Sequence, residues 1–137
     1  MAFLAQRPVA SMMRNASYLR PSAERRSSVQ IRASAQTFVE DNIKNNKVVV
    51  FSKSHCPYCS KAKAALGGII PKEKFAVFEI ENNPECSAIQ DVLMGMTGAR
   101  SVPRVFIDGK FIGGGDDTAR MAQNGELKKL LTEAGVL

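Results

Sequence analysis

The residues VVVFSKSHCPYCSKAKAALGG, Val48 to Gly68, carry three local patterns in immediate succession. The β-branched and aromatic run from Val48 to Phe51 is typical of a strand buried on both faces. The alanine-rich run that closes on two glycines predicts a helix. Between strand and helix lie Cys56 and Cys59, separated by a proline and a tyrosine. A CxxC in this context indicates a redox-active cysteine pair.

The neighbouring segments alternate between helix and strand patterns. Apolar residues at helical spacing predict a short helix over Gln36 to Lys47. The run FAVFEI, Phe75 to Ile80, predicts the next strand. NNPECSAIQDVLMGMTG, residues 82–98, predicts a helix capped by Asn83, with Pro84 at its first position.

The C-terminal part of the chain adds a hairpin and two helices. Arg104 to Ile107 and Lys110 to Ile112 flank Asp108-Gly109, a dipeptide that suits a tight turn. Asp116 to Gln123 and Glu126 to Ala134 have helical patterns. The order α-β-α-β-α-β-β-α-α predicts an α/β fold, with a mixed four-stranded sheet and helices on both faces.

Composition indicates one soluble domain with a basic head. The chain is 45% apolar and 23% charged, and no apolar run approaches the roughly 18 residues of a membrane helix. Residues 1–33 hold six arginines against one acid, whereas the rest holds 13 basic and 12 acidic residues. Because the head carries +5 of the net charge of +6, we expect neither nucleic acid nor a membrane as a partner.

The head has the composition of an organelle transit peptide, rich in Arg and Ser and without the apolar core of a secretory signal. We therefore expect a cleaved, disordered transit peptide at residues 1–33 and one domain at residues 34–137. A break near Ile31 to Ser34 suits processing. The alternative is a disordered basic tail that binds a partner. The expected location is an organelle matrix, with the plastid stroma favoured and the mitochondrion or the cytosol as alternatives.

The cysteine count bears on what the pair can do. Three cysteines in a reducing compartment argue against a structural disulfide framework. Tetrahedral zinc needs four ligands, and outside the pair the chain offers only Cys86 and its sole histidine, His55, which adjoins Cys56. No metal is therefore expected, and Cys56 and Cys59 are predicted to form a redox-active disulfide.

The two cysteines should play different catalytic roles. Cys56 leaves a strand and enters a helix, so its sulfur should lie beside unpaired backbone N–H groups that favour the thiolate. Lys53, three residues upstream, can add positive charge. Cys56 is thus the predicted nucleophile. Cys59, one helical turn further on, should be less exposed and near enough to resolve a mixed disulfide at Cys56.

From about Gln36 to its end, the sequence resembles the dithiol glutaredoxins of the thioredoxin-like superfamily. The resemblance rests on CPYC at Cys56 to Cys59, preceded by Lys53, and on TGARSVPRVFIDGKFIGGGDD, Thr97 to Asp117. It implies a thioredoxin-like fold and a glutathione-dependent thiol–disulfide oxidoreductase that reduces protein–glutathione mixed disulfides and protein disulfides. Glutathione would be the reducing co-substrate and glutathionylated or disulfide-bonded proteins the partners of a monomeric enzyme.

The resemblance also implies a glutathione site beside the nucleophile. Val102-Pro103 would form a cis-proline turn, with the backbone of Val102 pairing with the cysteine of glutathione. Lys53 and Gln90, with Arg100 assisting, would face the glycine carboxylate. The alternative for Gln90 and Arg100 is that they are solvent-facing polar residues at a helix end.

A second part of this implied site lies at the start of the following helix. The backbone N–H groups of Gly115 and Asp116 would bind the γ-glutamyl carboxylate. The side chain of Asp117 would take the amino group, and Tyr58 would flank the tripeptide. Helix capping by Asp116 and Asp117 is the other interpretation, and it is compatible with binding.

Some positions depart from the family pattern. Ser101 stands where threonine is usual, and Gly115 where cysteine, serine or asparagine is common. His55 precedes the nucleophile and would favour its thiolate if protonated, unless it simply faces solvent. Cys86 is either a bystander or a regulatory thiol.

Two other functions fit the same motifs. Two chains could bridge an iron–sulfur cluster through Cys56 and two glutathiones, although proline and tyrosine between the cysteines disfavour this. Alternatively the chain could be a redox-sensing partner protein that forms the disulfide without turnover. The sequence names no protein substrate.

Overall fold

The predicted strands pair into one sheet. The computed structural model describes residues 27–137. Their strands are β1 (Val48–Ser52), β2 (Ala76–Glu79), β3 (Arg104–Ile107) and β4 (Lys110–Gly113). Their α-helices are α1 (Ser28–Asn45), α2 (Pro57–Gly67), α3 (Cys86–Thr97), α4 (Gly115–Asn124) and α5 (Glu126–Glu133). Short 3-10 turns at Lys72–Lys74 and Ile80–Asn82 flank β2.

The sheet has the strand order β2-β1-β3-β4. Strand β1 runs parallel to β2 and antiparallel to β3, and β3 and β4 form a hairpin. Both central residues of the hairpin turn have positive φ, 52° at Asp108 and 81° at Gly109, as a type I′ turn requires. The predicted α/β class, mixed four-stranded sheet and Asp-Gly turn are confirmed.

The central strand β1 divides the core into two halves. All five of its residues are buried, as predicted for a strand covered on both faces. Val48 and Val50 pack against residues of α2, α4 and α5, whereas Val49 and Phe51 pack against α1 and α3. Burial of one large apolar side chain contributes about 1.5–3 kcal/mol to the free energy of folding. Helices therefore cover both faces and fix β1, whose C-terminal end leads into the CxxC.

Helix α1 begins earlier than the sequence pattern predicts. It starts at Ser28 instead of Gln36, because Ser27 and Gln30 form a reciprocal cap in which each side chain accepts the other's backbone N–H at 3.2 Å. The predicted boundary between residues 33 and 34 thus falls inside a helix whose Ala35 is fully buried. Of the predicted transit peptide, residues 1–33, residues 1–26 lie outside the described residues. None of the described helices is long and apolar enough to cross a membrane.

Helix α3 begins later than predicted, at Cys86 with Glu85 as the preceding cap residue. The Asn83 side chain does not cap the helix. It instead accepts the backbone N–H of Glu85 at 2.8 Å, which closes a turn around Pro84. The prediction of Asn83 as cap and Pro84 as first helical residue is therefore wrong, because the asparagine satisfies a nearer backbone group.

Candidate active site

The CxxC lies where strand β1 passes into helix α2. Cys56 is the N-cap residue of α2, and Pro57 is its first residue, where a missing N–H leaves no bond unmade. The sulfur of Cys56 accepts the backbone N–H of Cys59 at 3.4 Å. The predicted position of the nucleophile at a helix N-terminus is confirmed, and the positive end of the helix dipole faces its sulfur.

The second cysteine has a different environment. Cys59 is fully buried, whereas Cys56 is partly exposed, and both thiols are free. Burial raises the pKa of the Cys59 thiol above its usual value, although the backbone N–H of Lys53, 3.4 Å from its sulfur, acts in the opposite direction. Cys59 is therefore held as a neutral thiol at neutral pH.

A loop distant in sequence lies against Cys56. The Val102-Pro103 peptide bond is cis, as the family resemblance implied. The carbonyl oxygen of Val102 lies 3.7 Å from the sulfur of Cys56, within range of a weak S–H···O contact. The cis-proline turn therefore places backbone polar groups of Val102 beside the reactive sulfur.

On one side of the nucleophile, a lysine and a glutamine meet. The ammonium of Lys53 lies 3.5 Å from Oε1 of Gln90, and Nε2 of Gln90 donates to the carbonyl oxygen of Arg100 at 3.0 Å. The guanidinium of Arg100 turns away to α3, where Nε lies 2.9 Å from Oδ1 of Asp91. Lys53 and Gln90 are thus brought together, while the charge of Arg100 is already paired on the helix.

On the other side lies a shallow groove that contains most of the remaining predicted contacts. It is lined by Tyr58, Ser101, Val102, Pro103, Arg104, Gly114, Gly115, Asp116 and Asp117. The groove therefore joins the start of α2, the cis-proline turn and the start of α4, three segments separated in sequence. Tyr58 is 53% exposed at its rim.

The start of α4 presents backbone N–H groups to this groove. Gly114 is the cap residue, and its N–H donates to Oδ2 of Asp117 at 3.3 Å. A Cβ atom on Gly115 would lie 2.4 Å from the carbonyl oxygen of Tyr58, so only glycine allows this close approach of α4 to α2. At the exposed edge, the carboxylate of Asp116 also pairs with Lys61 and that of Asp117 with Arg120. Asp117 therefore does act as a capping residue, and its carboxylate lines the groove.

Arg104 is a groove residue that the sequence pattern missed. Its Nε donates to the carbonyl oxygen of Ser101 at 2.7 Å and its Nη2 to the Ser101 hydroxyl at 2.9 Å. Its guanidinium also lies 5.1 Å from the ring centre of Phe111, and burial lowers its pKa although it stays cationic. Arg104 therefore fixes the turn that carries Val102. The position of Arg104 directly after Ser101-Val102-Pro103 was the signal that could have identified it as a site residue.

His55 and Glu81 meet beside the active-site loop. Nδ1 of His55 lies 3.3 Å from Oε2 of Glu81, which also accepts the backbone N–H of Ser54 at 2.7 Å. The imidazole is 76% exposed and faces this carboxylate. Glu81, which no sequence motif singled out, therefore holds the loop that precedes Cys56.

Cys86 lies near the lysine side of the site. Its sulfur is 3.7 Å from Oε1 of Gln90, the atom that Lys53 also approaches. The residue is partly buried at the start of α3. Within residues 27–137, no group of three or more His, Cys, Asp or Glu side chains is arranged to hold a metal ion.

A four-stranded mixed sheet with a reduced CxxC at a helix N-terminus and a cis-proline turn against it defines a thioredoxin-like thiol–disulfide oxidoreductase. The glutaredoxin family model matches residues 48–112. Glutaredoxin-C8 of Oryza sativa subsp. japonica is 44% identical over 99 residues, which cover 72% of this chain and 73% of the relative. The chain belongs to the glutaredoxin family and is a glutaredoxin oxidoreductase.

Solved structures agree with this assignment. Oxidized glutaredoxin 2 from Chlamydomonas reinhardtii is 55% identical, with a TM-score of 0.74 over 77% of this chain and 98% of that one. A buckwheat glutaredoxin–glutathione complex is 33% identical, with a TM-score of 0.72 over 85% and 99% of the two chains. The predicted thioredoxin-like fold and dithiol glutaredoxin resemblance are thereby confirmed.

Proposed function

We propose that this glutaredoxin uses glutathione to reduce protein–glutathione mixed disulfides and protein disulfides, through a Cys56 thiolate. The observation that carries the proposal is the position of the Cys56 sulfur, at the N-terminus of α2 and 3.7 Å from the Val102 carbonyl oxygen, where the cis-proline turn meets the groove. A tripeptide thiol that pairs with the backbone of Val102 has its sulfur directed at Cys56.

The proposed glutathione reaction has two steps. The Cys56 thiolate attacks the glutathione sulfur of a glutathionylated protein, so the protein leaves as a thiolate that takes a proton from solvent. A second glutathione thiolate then attacks the glutathione sulfur bound to Cys56 and leaves as glutathione disulfide. Cys56 is regenerated as the thiolate, and the net reaction converts one mixed disulfide and one free glutathione into the protein thiol and glutathione disulfide.

The reduction of a protein disulfide adds an intramolecular step. Cys56 attacks one sulfur of the substrate, and Cys59 displaces the substrate from the resulting mixed disulfide. Two glutathiones then reduce the Cys56–Cys59 disulfide. Cys59 is thus required for protein disulfides and dispensable for glutathione mixed disulfides.

The charges around Cys56 suit glutathione, which has two carboxylates and one ammonium group. We assign the glycine carboxylate to Lys53 and Gln90, which already lie 3.5 Å apart. Arg100 can assist only by turning from Asp91, to which its guanidinium is bound. The buckwheat relative has a structure with glutathione bound, which supports a tripeptide site in this fold.

We assign the γ-glutamyl end to the start of α4. The N–H groups of Gly115 and Asp116 are unpaired by the helix and favour an anion, while the carboxylate of Asp117 can accept the ammonium group. Tyr58 and Pro103 would hold the tripeptide from either side, since both line the same groove.

The direct test is a deglutathionylation assay with wild type, Cys56→Ser and Cys59→Ser. Cys56→Ser should lose all measurable turnover, because the hydroxyl cannot form the mixed disulfide. Cys59→Ser should retain turnover of glutathionylated substrate. Retained activity in Cys56→Ser, or loss of all activity in Cys59→Ser, contradicts the proposal.

We also propose that the enzyme acts in an organelle matrix, with the plastid stroma favoured over the mitochondrion. The support is the arginine- and serine-rich, acid-poor composition of residues 1–33. A fusion of residues 1–33 to a fluorescent protein should enter plastids, and the N-terminus of the mature protein should lie near Ile31 to Ser34. A fusion that stays in the cytosol, or enters mitochondria, overturns the plastid assignment.

A further inference from the structure

The segment that leads into Cys56 is a hydrogen-bonded turn. The N–H of Cys56 donates to the carbonyl oxygen of Lys53 at 3.2 Å, which makes Ser54 and His55 the two central residues of a β-turn. Both central residues are exposed. An exposed turn of four residues gains little from burial, so contacts from neighbouring segments decide how firmly it holds Cys56.

Glu81 contacts both central residues of this turn. Its Oε2 accepts the backbone N–H of Ser54 at 2.7 Å and lies 3.3 Å from Nδ1 of His55. The parallel register of β1 and β2 pairs Ser52 with Glu79. Because Ser54 and Glu81 each lie two residues further along, the pairing of the two strands brings them together.

The element that carries Glu81 is anchored in the core. Glu81 lies in the 3-10 turn Ile80–Asn82, which Asn83 closes by donating its N–H to the carbonyl oxygen of Ile80 at 3.0 Å. The side chain of Ile80 is buried and belongs to the apolar cluster formed with β1, α1 and α3. Glu81 therefore links a well-packed part of the protein to an exposed turn.

The carboxylate of Glu81 is an unfavourable group for this position in terms of stability. Its Oε1 is buried, and no hydrogen-bond partner within residues 27–137 reaches it. A buried carboxylate oxygen without a partner lowers the free energy of unfolding. The N–H of Ser54 belongs to an exposed residue and can bond to water instead. Stability alone would favour an apolar side chain here, so we look for the benefit of the carboxylate in catalysis.

We propose that Glu81 is a positioning residue for the nucleophile, and that its hydrogen bond to the Ser54 N–H aligns the Cys56 sulfur with the cis-proline turn. The inference rests on the proposed function, since it concerns the attack of Cys56 on a glutathione disulfide bond. Glu81 acts through the turn and not on the substrate. The alignment that it maintains is the 3.7 Å approach of the Cys56 sulfur to the Val102 carbonyl oxygen.

Two contacts of the Cys56 sulfur depend on Glu81 to different degrees. The N–H of Cys59, 3.4 Å away, belongs to the helix that Cys56 caps, so it stays beside the sulfur when the turn loosens. The Val102 carbonyl belongs to another segment, so its distance from the sulfur changes when the turn moves. Loss of the Glu81 contact should therefore slow reactions that need alignment with the cis-proline turn and spare those that need only a thiolate.

The test compares two reactions of Cys56 in the full chain, in a Cys59→Ser background. In one, Cys56 attacks glutathione disulfide, keeps one glutathione and releases the other as a thiolate that takes a proton from solvent. In the other, iodoacetamide alkylates the same sulfur. Timed samples are quenched with acid and analysed by peptide mass mapping. Glu81→Leu should slow the glutathione reaction about tenfold and alkylation less than about twofold, because alkylation needs no alignment with the groove.

Two further variants and a stability measurement separate positioning from a general effect of substitution. Glu81→Gln should stay within about threefold of the unsubstituted rate, because its amide oxygen can also accept the Ser54 N–H. Glu73→Leu removes an exposed carboxylate on the 3-10 turn at the other end of β2 and should leave both reactions unchanged. The midpoint of urea unfolding should not fall in Glu81→Leu, since the substitution removes a buried oxygen without a partner.

Ser54→Pro tests the turn itself. Proline lacks the N–H that Glu81 accepts, and its fixed φ suits the second position of a β-turn, so it should hold the turn without help from Glu81. In the Ser54→Pro background, Glu81→Leu should therefore slow the glutathione reaction less than about threefold, against about tenfold without the proline.

Three results would overturn the proposal. These are an equal effect of Glu81→Leu with and without the proline, equal losses in the glutathione reaction and in alkylation, and a Glu81→Gln protein as slow as Glu81→Leu. Failure of the proposed function itself would appear earlier, because the Cys59→Ser protein without further substitution would then form no glutathione adduct on Cys56.

Discussion

Cys56 and Cys59 are separated by two residues, yet they lie in opposite environments. Cys56 caps a helix at the surface, next to a groove and a backbone carbonyl from a distant loop. Cys59 is fully buried, and its sulfur accepts the backbone N–H of Lys53, the residue directly after β1, at 3.4 Å. The comparison teaches that the two cysteines of one CxxC can differ sharply in exposure and in their contacts, as the proposed roles of nucleophile and resolver require.

The largest expected effect comes from removal of the resolver. Cys59→Ser should reduce a protein disulfide at least about 100-fold more slowly than wild type, because a positioned intramolecular thiol acts at a far higher effective concentration than free glutathione. Its turnover of a glutathionylated peptide should remain. Steady-state assays on both substrates give the measurement, and equal losses on the two would remove the distinction between the cysteines.

The raised pKa of Cys59 predicts a separation in pH. A raised pKa means less thiolate at a given pH, so iodoacetamide should modify Cys59 at least about tenfold more slowly than Cys56 near neutral pH. In urea, where burial is lost, the curve of the Cys59 alkylation rate against pH should move to lower pH. Peptide mass spectrometry after timed alkylation reports both sites. Equal rates in the folded protein, or no shift in urea, would contradict the assigned environment.

The groove on the Cys56 side depends on the close approach of α4 to α2. Gly115→Ala would place a Cβ 2.4 Å from the Tyr58 carbonyl oxygen, so it should cost about 1–3 kcal/mol of stability and raise the KM for glutathione. Urea unfolding and steady-state kinetics measure the two effects. Gly67→Ala is the matched control, since a Cβ there meets nothing within 4 Å. A fully stable Gly115→Ala protein with unchanged KM would show that this contact does not shape the groove.

The smallest expected effect is at the turn that carries Val102. Arg104→Met keeps the length of the side chain but removes both hydrogen bonds to Ser101. The KM for glutathione should rise about threefold to tenfold, since hydrogen bonds from a charged group contribute about 1.5–3 kcal/mol when buried and less for Arg104, which is partly exposed. Lys110→Met, an exposed cation on the same hairpin, serves as the control. Equal KM values in both variants would limit Arg104 to a structural role.

Local patterns were sufficient for much of the fold and for the reactive residues. The strand at Val48, the Asp108-Gly109 turn and the position of Cys56 at a helix start each follow from a few consecutive residues, and the structure has all three. The cis peptide before Pro103 came from the family resemblance, because no local pattern distinguishes the two isomers of an X-Pro bond.

The supporting residues could not be predicted because they depend on pairings between distant segments. Glu79 meets Ser52 only through the register of β2 on β1, and the guanidinium of Arg100 pairs on α3 instead of facing the site because Asp91 lies within reach. The starts of α1 and α3 were predicted wrongly for a different reason, because they depend on contacts within a few residues. The Asn83 side chain accepts the backbone N–H two residues on and closes a turn, whereas that of Ser27 accepts the N–H three residues on and caps a helix, and propensity alone does not distinguish these choices.

The central claim is that Cys56 alone carries the glutathione intermediate. Its most direct test is the intact mass of Cys59→Ser after brief reaction with a glutathionylated peptide and an acid quench, followed by peptide mapping. The expected product contains one glutathione, attached to Cys56, with the peptide released as its thiol. A peptide attached to Cys56, or glutathione on Cys86 instead, would contradict the account.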